Sequence, residues 1–275
     1  MVLWWRLCES DNELPRWMRS LSLTAMTPVI EAHRGGREDA PENTLAAFRK
    51  AMEMGAAWIE LDVRASRDGA LVVFHDDKVD RVTDGAGLVG DMTLAELRRL
   101  DAGIRFSAAF AGERIPTFEE AAALVAGSGV RLNVEIKKPA GRGVVAGVVK
   151  VLREAGKERD YVVSSFGLEE VMAVRAAAPE IELALIGKAP EVIPLAIEHG
   201  VPWAHCQHES LTQALVDEAH GAGLRVNVWT VDDVERLAHW RAVGVDKLCT
   251  NRPRAMMEAG RLAFGRGSGF GDARR

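Results

Sequence analysis

Between residues 29 and 249 the chain alternates short apolar runs with amphipathic stretches. Nine runs are strand-like: 29–32, 58–63, 71–74, 132–136, 161–164, 183–186, 202–206, 224–229 and 246–249. Helical periodicity fills most of the gaps. "ENTLAAFRKAMEMG" puts Leu45, Phe48 and Met52 on one face, and Gly55 can close the helix. "LTQALVDEAHGAG" and "VDDVERLAHWRAVG" repeat the helix-then-glycine pattern. Alternating strands and helices predict a parallel sheet.

One connection breaks the alternation. Only "RASRDGA" lies between Val63 and Leu71, whereas a parallel crossover needs about a dozen residues. Asp68-Gly69 is a hairpin signal, so the run 71–74 is read as a hairpin excursion. Counting outward from a two-residue turn places Asp62 opposite His75. The remaining eight strands, each followed by a helix, predict a (β/α)8 TIM barrel. A doubly wound sheet is the alternative, but no Gly-rich phosphate fingerprint follows any strand. Segment 76–116 is rich in Asp and Gly, carries one helical patch ("TLAELRRL"), and is read as a small inserted subdomain on the catalytic face.

Composition narrows the function classes. The 48% hydrophobic content supports a full core, and a net charge of −5 argues against a nucleic-acid partner. Three scattered cysteines, Cys8, Cys206 and Cys249, make no disulfide framework. No stretch has the roughly 18 uncharged apolar residues of a membrane span, so stable membrane insertion is not expected and a cytoplasmic location is. Residues 1–28 are read as a flexible arm, 29–262 as the barrel and 263–275 as a disordered tail. Nothing in the sequence fixes the oligomeric state.

Chemistry in a barrel gathers where strands end. The first strand ends in His33 and Arg34, the next in "IELDV" with Glu60 and Asp62, and another in "NVEIKK" with Glu135 and Lys137. The excursion ends at His75, and a late strand ends at Trp229. Residues two apart share a face, so Glu60 pairs with Asp62 and Glu135 with Lys137. Three converging carboxylates repel one another unless a cation lies between them, and an oxygen-only set favours Mg2+ or Ca2+. Arg34 and Lys137 suit a phosphate, and His33 and His75 suit an acid–base pair. His205, Cys206 and His208 superficially suggest a metal cluster, but strand alternation separates Cys206 from His205. His199, His220 and His239 fall in helical stretches and are read as surface residues.

These residues carry a resemblance. "HRGGREDAPENTLAAFRKAMEMGAAWIELDVRASRDGALVVFHD" resembles the opening of the glycerophosphodiester phosphodiesterase family. The similarity continues, in order, through "DRVTDGAGLVGDMTLAEL", "IPTFEEA", "LNVEIKK", "VNVWTV" and "TNRP", over about residues 29 to 255. The resemblance implies a divalent cation on Glu60, Asp62 and Glu135, with His33 and His75 as acid and base. It also implies Arg34 and Lys137 on the phosphate, with Trp229 and Phe166 beside the alcohol moiety. The expected reaction is hydrolysis of a small-molecule glycerophosphodiester to glycerol 3-phosphate and an alcohol. A phospholipase D-type action on lysophospholipids and a non-catalytic phosphate-binding barrel are the rivals. Two departures stand out: Val82 where Thr is common, and Lys247 where Gly is common. Gly35 and Gly36 are expected to let the backbone approach the substrate.

Overall fold

The computed structural model describes residues 27–141, 143–156 and 160–264. The arm 1–26 and the tail from 265 onward lie outside the described residues. Eight strands close a parallel barrel: β1 (Val29–Ala32), β2 (Trp58–Ala65), β4 (Arg131–Ile136), β5 (Tyr161–Ser165), β6 (Glu182–Gly187), β7 (Trp203–Gln207), β8 (Arg225–Trp229) and β9 (Lys247–Thr250). Pairing of β1 with both β2 and β9 closes the ring. All nine strand expectations correspond to strands, with ends moved by a few residues. Among the described residues, no helix is long and apolar enough to cross a membrane.

Helices α1 (Leu45–Met54), α3 (Phe118–Val125), α4 (Val144–Ala155), α5 (Leu168–Ala177), α6 (Ala189–Glu198), α7 (Gln213–Gly221), α8 (Leu237–Val243) and α9 (Pro253–Phe264) surround the barrel. The Thr44 side chain caps α1 by accepting from Ala47 N, and Gly55 ends it at φ 84°. Phe48 is fully buried, and Leu45 and Met52 are partly buried against the same core. Helix α9 continues to Phe264, so residues 263 and 264, read from the sequence as tail, are helical.

The excursion is β3 (Leu71–Val73), antiparallel to β2. Its register differs by one residue from the sequence-based count: Val63 faces Val73, and Phe74 N donates to Asp62 O at 2.9 Å. The turn has three residues, not two. Ser66 N bonds Ala70 O at 2.9 Å around Arg67-Asp68-Gly69, with Gly69 at φ 82°. Phe74, rather than His75, therefore stands opposite Asp62. Phe74 joins Val72, Val79, Val89, Leu97 and Ile115 in a separate apolar cluster under the insertion. The helical patch within the insertion is α2 (Leu94–Leu97), opened by a capping box between Thr93 and Glu96. Val82, where the family commonly has Thr, packs against this cluster.

Gly35 and Gly36 serve helix packing. A Cβ on Gly35, at φ 86°, would lie 2.8 Å from Ala47 Cβ, and one on Gly36 would lie 2.9 Å from Lys50 Cβ. The close approach that the structure requires of them is made by α1.

Candidate active site

Alternation sends every second strand residue into the barrel, where side chains stack in layers. Trp58, Val162, Ala184 and Trp203 form an apolar bottom layer. Above it lies a polar layer of Glu31, Asn133, Ser164, His205, Asn227 and Lys247, all buried. The mouth carries His33, Glu60, Glu135, Lys137, His75 and Trp229 around a cavity of about 120 Å3.

Glu60, Asp62 and Glu135 converge because Asp62 and Glu135 are direct register partners on β2 and β4, and Glu60 precedes Asp62 on the same face. Each offers an oxygen within 4.8 Å of the others. Burial, then Asp62, holds Glu60 well above the ordinary carboxylate range. Burial and Asp62 also push Glu135 up to about 7. Burial alone would raise Asp62, but Lys137 and Arg34 outweigh it and hold Asp62 low. Among the described residues Glu60 Oε1 is buried without a hydrogen-bond partner, which is costly in isolation, and Asp62 Oδ1 has only the Lys137 ammonium beside it. An oxygen-only donor set with an orphaned carboxylate oxygen fits a hard divalent cation.

Cationic groups frame the carboxylates. Lys137 Nζ lies 2.5 Å from Glu135 Oε1 and 3.3 Å from Asp62 Oδ1. Arg34, at φ 56°, donates its backbone N to Glu60 Oε2 at 2.9 Å and sets Nε 3.4 Å from Asp62 Oδ2. Two residues that the sequence reading missed hold this arrangement. Glu42 binds Arg34 and Arg37 at 2.8 Å each and Arg81 at 2.6 Å. Asn43 donates to Asp62 Oδ2 at 2.7 Å. Both lie in "PENT", inside the quoted motif, yet nothing in their spacing marks them as ligand supports.

The histidines follow different strands. His33 follows β1, with Nε2 3.8 Å from Glu60 Oε2. Burial and Arg34 lower its pKa to about 4. His75 follows β3, with Nδ1 2.6 Å from Asp76 Oδ1, and burial lowers its pKa too. Asp76 is itself held by Arg81 at 2.6 Å. The hairpin does bring His75 back to the carboxylates, although by a different register from the one counted.

Phe166 and Trp229 meet edge to face at 5.7 Å along one wall, and Trp229 Nε1 donates to His205 O at 2.9 Å. His205 points into the barrel, while Cys206 belongs to the core outside it and His208 lies beyond the strand end. These three do not form a metal cluster. Lys247, where the family commonly has Gly, lies on β9 inside the barrel and is ion-paired with Glu31.

The model of the glycerophosphoryl diester phosphodiesterase family matches residues 33–255. A glycerophosphodiester phosphodiesterase of Caldanaerobacter subterraneus is 37% identical over 239 residues, covering 84% of this chain and 97% of that protein. The solved structure of an Oleispira antarctica phosphodiesterase in complex with the product sn-glycerol-3-phosphate superposes with a TM-score of 0.79. It is 32% identical, covering 85% of this chain and 96% of that one. A glycerophosphodiester phosphodiesterase from Agrobacterium tumefaciens gives a TM-score of 0.73 at 30% identity, covering 83% and 98%. The barrel is thus shared with these structures, and the chain belongs to the glycerophosphoryl diester phosphodiesterase family.

Proposed function

We propose that the chain hydrolyses soluble glycerophosphodiesters to glycerol 3-phosphate and an alcohol, using Mg2+ or Ca2+ held by Glu60, Asp62 and Glu135. The observation that carries this reading is the buried triad with its orphaned Glu60 oxygen, beside His33 and His75 in the same cavity. When bound, the cation neutralises charge on the phosphoryl oxygens and polarises phosphorus. Arg34 and Lys137 bind and orient the phosphate. One histidine takes the proton of the nucleophile, and the other gives a proton to the departing alkoxide. The nucleophile is water or the substrate's own hydroxyl, the latter giving a cyclic phosphate that water then opens. Trp229 and Phe166 line the alcohol side.

The test is hydrolysis of glycerophosphocholine, glycerophosphoethanolamine and lysophosphatidylcholine by the full chain, each with Mg2+, Ca2+ or excess EDTA. The expected result is turnover of the two deacylated diesters that EDTA abolishes and either cation restores. Full activity in EDTA would overturn the metal assignment, and a strong preference for the lysolipid would overturn the substrate class.

A further inference from the structure

Beneath the mouth, two buried atoms lack partners. His205 and Asn227 are register partners on β7 and β8, and both side chains are almost fully buried. Among the described residues, His205 Nε2 and Asn227 Oδ1 have no hydrogen-bond partner. Their polarity is fixed by what surrounds them. Glu31, ion-paired to Lys247, accepts from Asn227 Nδ2 at 2.9 Å. That leaves Asn227 Oδ1 as the free acceptor. Asn133 Oδ1 accepts from Ser164 Oγ at 2.8 Å, which turns Asn133 Nδ2 toward Glu31 Oε2 (3.4 Å) and His205 Nδ1 (3.5 Å). An amide nitrogen only donates, so His205 Nδ1 accepts and the imidazole proton sits on Nε2. The layer thus holds one orphaned donor and one orphaned acceptor on adjacent strands.

A lone hydroxyl satisfies that combination, since its oxygen accepts and its hydrogen donates. An anion would be repelled by the Asn227 carbonyl and a cation by the His205 N–H. Buried polar atoms without partners are costly, and both residues line the cavity that also contains Glu60, Glu135, His33 and Trp229. That cavity, at about 120 Å3, has several times the space one water needs. We propose that His205 and Asn227 form a hydroxyl socket below the metal triad, which holds a hydroxyl of the glycerol moiety and selects polyol phosphoesters over esters of simple alcohols. The inference rests on the phosphodiesterase reading above and adds the residues that recognise glycerol. The Glu31–Lys247 pair acts as a positioning element, because it orients Asn227 directly and His205 through Asn133.

Calorimetry on the full chain, with Mg2+ or Ca2+ present, compares sn-glycerol 3-phosphate with n-propyl phosphate, which has the same charge and no hydroxyl. The wild type is expected to bind the glycerol ester about 10–100-fold more tightly, since the propyl ester leaves both socket atoms unpaired. His205→Leu should remove that gap by weakening only the glycerol ester. His205→Gln, whose amide can supply the same donor, should keep it. Equal affinities in the wild type overturn the socket without needing any variant. Equal weakening of both ligands in His205→Leu overturns it as well, because a merely structural role would give that result. Turnover of glycerophosphocholine, measured in parallel, judges the hydrolytic reading separately.

Discussion

His33 Nδ1 lies 2.6 Å from Asn251 Oδ1, and Asn251 Nδ2 lies 2.7 Å from Asp232 Oδ2. Asp232 also accepts from Asn251 N at 2.8 Å, fixing the whole residue. The carboxylate claims the amide nitrogen, so the amide oxygen faces His33 and calls for a proton on Nδ1. His33 Nε2 is left bare toward Glu60 and the cavity.

Asn251 is therefore expected to position His33 without touching the reacting atoms. Asn251→Leu should lower kcat about tenfold or more with little change in KM, while Asn251→Asp, which still accepts from Nδ1, should retain most activity. A change in KM alone would place Asn251 on the substrate instead.

Removal of either imidazole is expected to cost about 10²–10⁴-fold in kcat/KM, the usual contribution of a positioned proton donor or acceptor. His33→Ala and His75→Ala should both show it while keeping wild-type circular dichroism. His208→Ala, beyond the strand end, should stay near wild type. Equal losses in all three would refute the choice of histidines.

Weakening one leg of the carboxylate triad should weaken the metal. Glu135→Gln keeps the shape and removes the charge, so calorimetric Mg2+ or Ca2+ binding should weaken, and the metal concentration for half activity should rise. Unchanged metal affinity would take Glu135 out of the set.

Acid stability should depend on Glu42. Burial opposes its ionisation, but Arg81, Arg34 and Arg37 outweigh that and hold its pKa at about 2, below the ordinary 4.5. A depressed folded-state pKa stabilises above the unfolded value and is lost as pH falls through the folded one. Glu42 thus contributes about 3 kcal/mol at neutral pH, fading between about pH 4.5 and pH 2. Urea titrations of wild type and Glu42→Gln should differ most at pH 7 and converge at low pH. A constant difference across that range would show that the charge is not the cause.

The buried Glu31–Lys247 pair, under 1% exposed on both residues, should be sensitive to loss of one partner. The Lys247 ammonium also sits 4.1 Å from the Trp58 ring centroid and 5.1 Å from that of Trp203. Lys247→Met leaves a buried carboxylate unpaired and is expected to cost about 3–5 kcal/mol, whereas Glu31→Leu with Lys247→Met should recover much of it. Thermal and urea unfolding read both variants. A double variant no better than the single one would show that the ammonium, and not the pairing, holds the layer.

Much of the fold is legible because strand periodicity and helix-closing glycines are local signals. The 58–63 and 132–136 runs read as strands from their own residues, and the brevity of "RASRDGA" excludes a crossover by length alone. The period-2 rule already put Glu60 with Asp62 and Glu135 with Lys137, so the acidic set and its cationic neighbours follow from sequence. The resemblance to a family then added Phe166 and the place of Trp229 beside the alcohol moiety.

Only the tertiary structure decided the rest, since it depends on contacts between distant segments. The hairpin register turned on a single extra turn residue, which puts Phe74 opposite Asp62. Gly35 and Gly36 answer to α1, a contact invisible until the helix docks. Asn251 reaches His33 across 218 positions, and Lys247 reaches Glu31 across 216. Glu31, Asn133, His205, Asn227 and Lys247 each appear in sequence as a polar residue with apolar strand neighbours. Alternation shows that each faces the same way as its strand's site residues, but only closure of the barrel makes them a single hydrogen-bonded layer, because the geometry of a closed ring is set by all eight strands together.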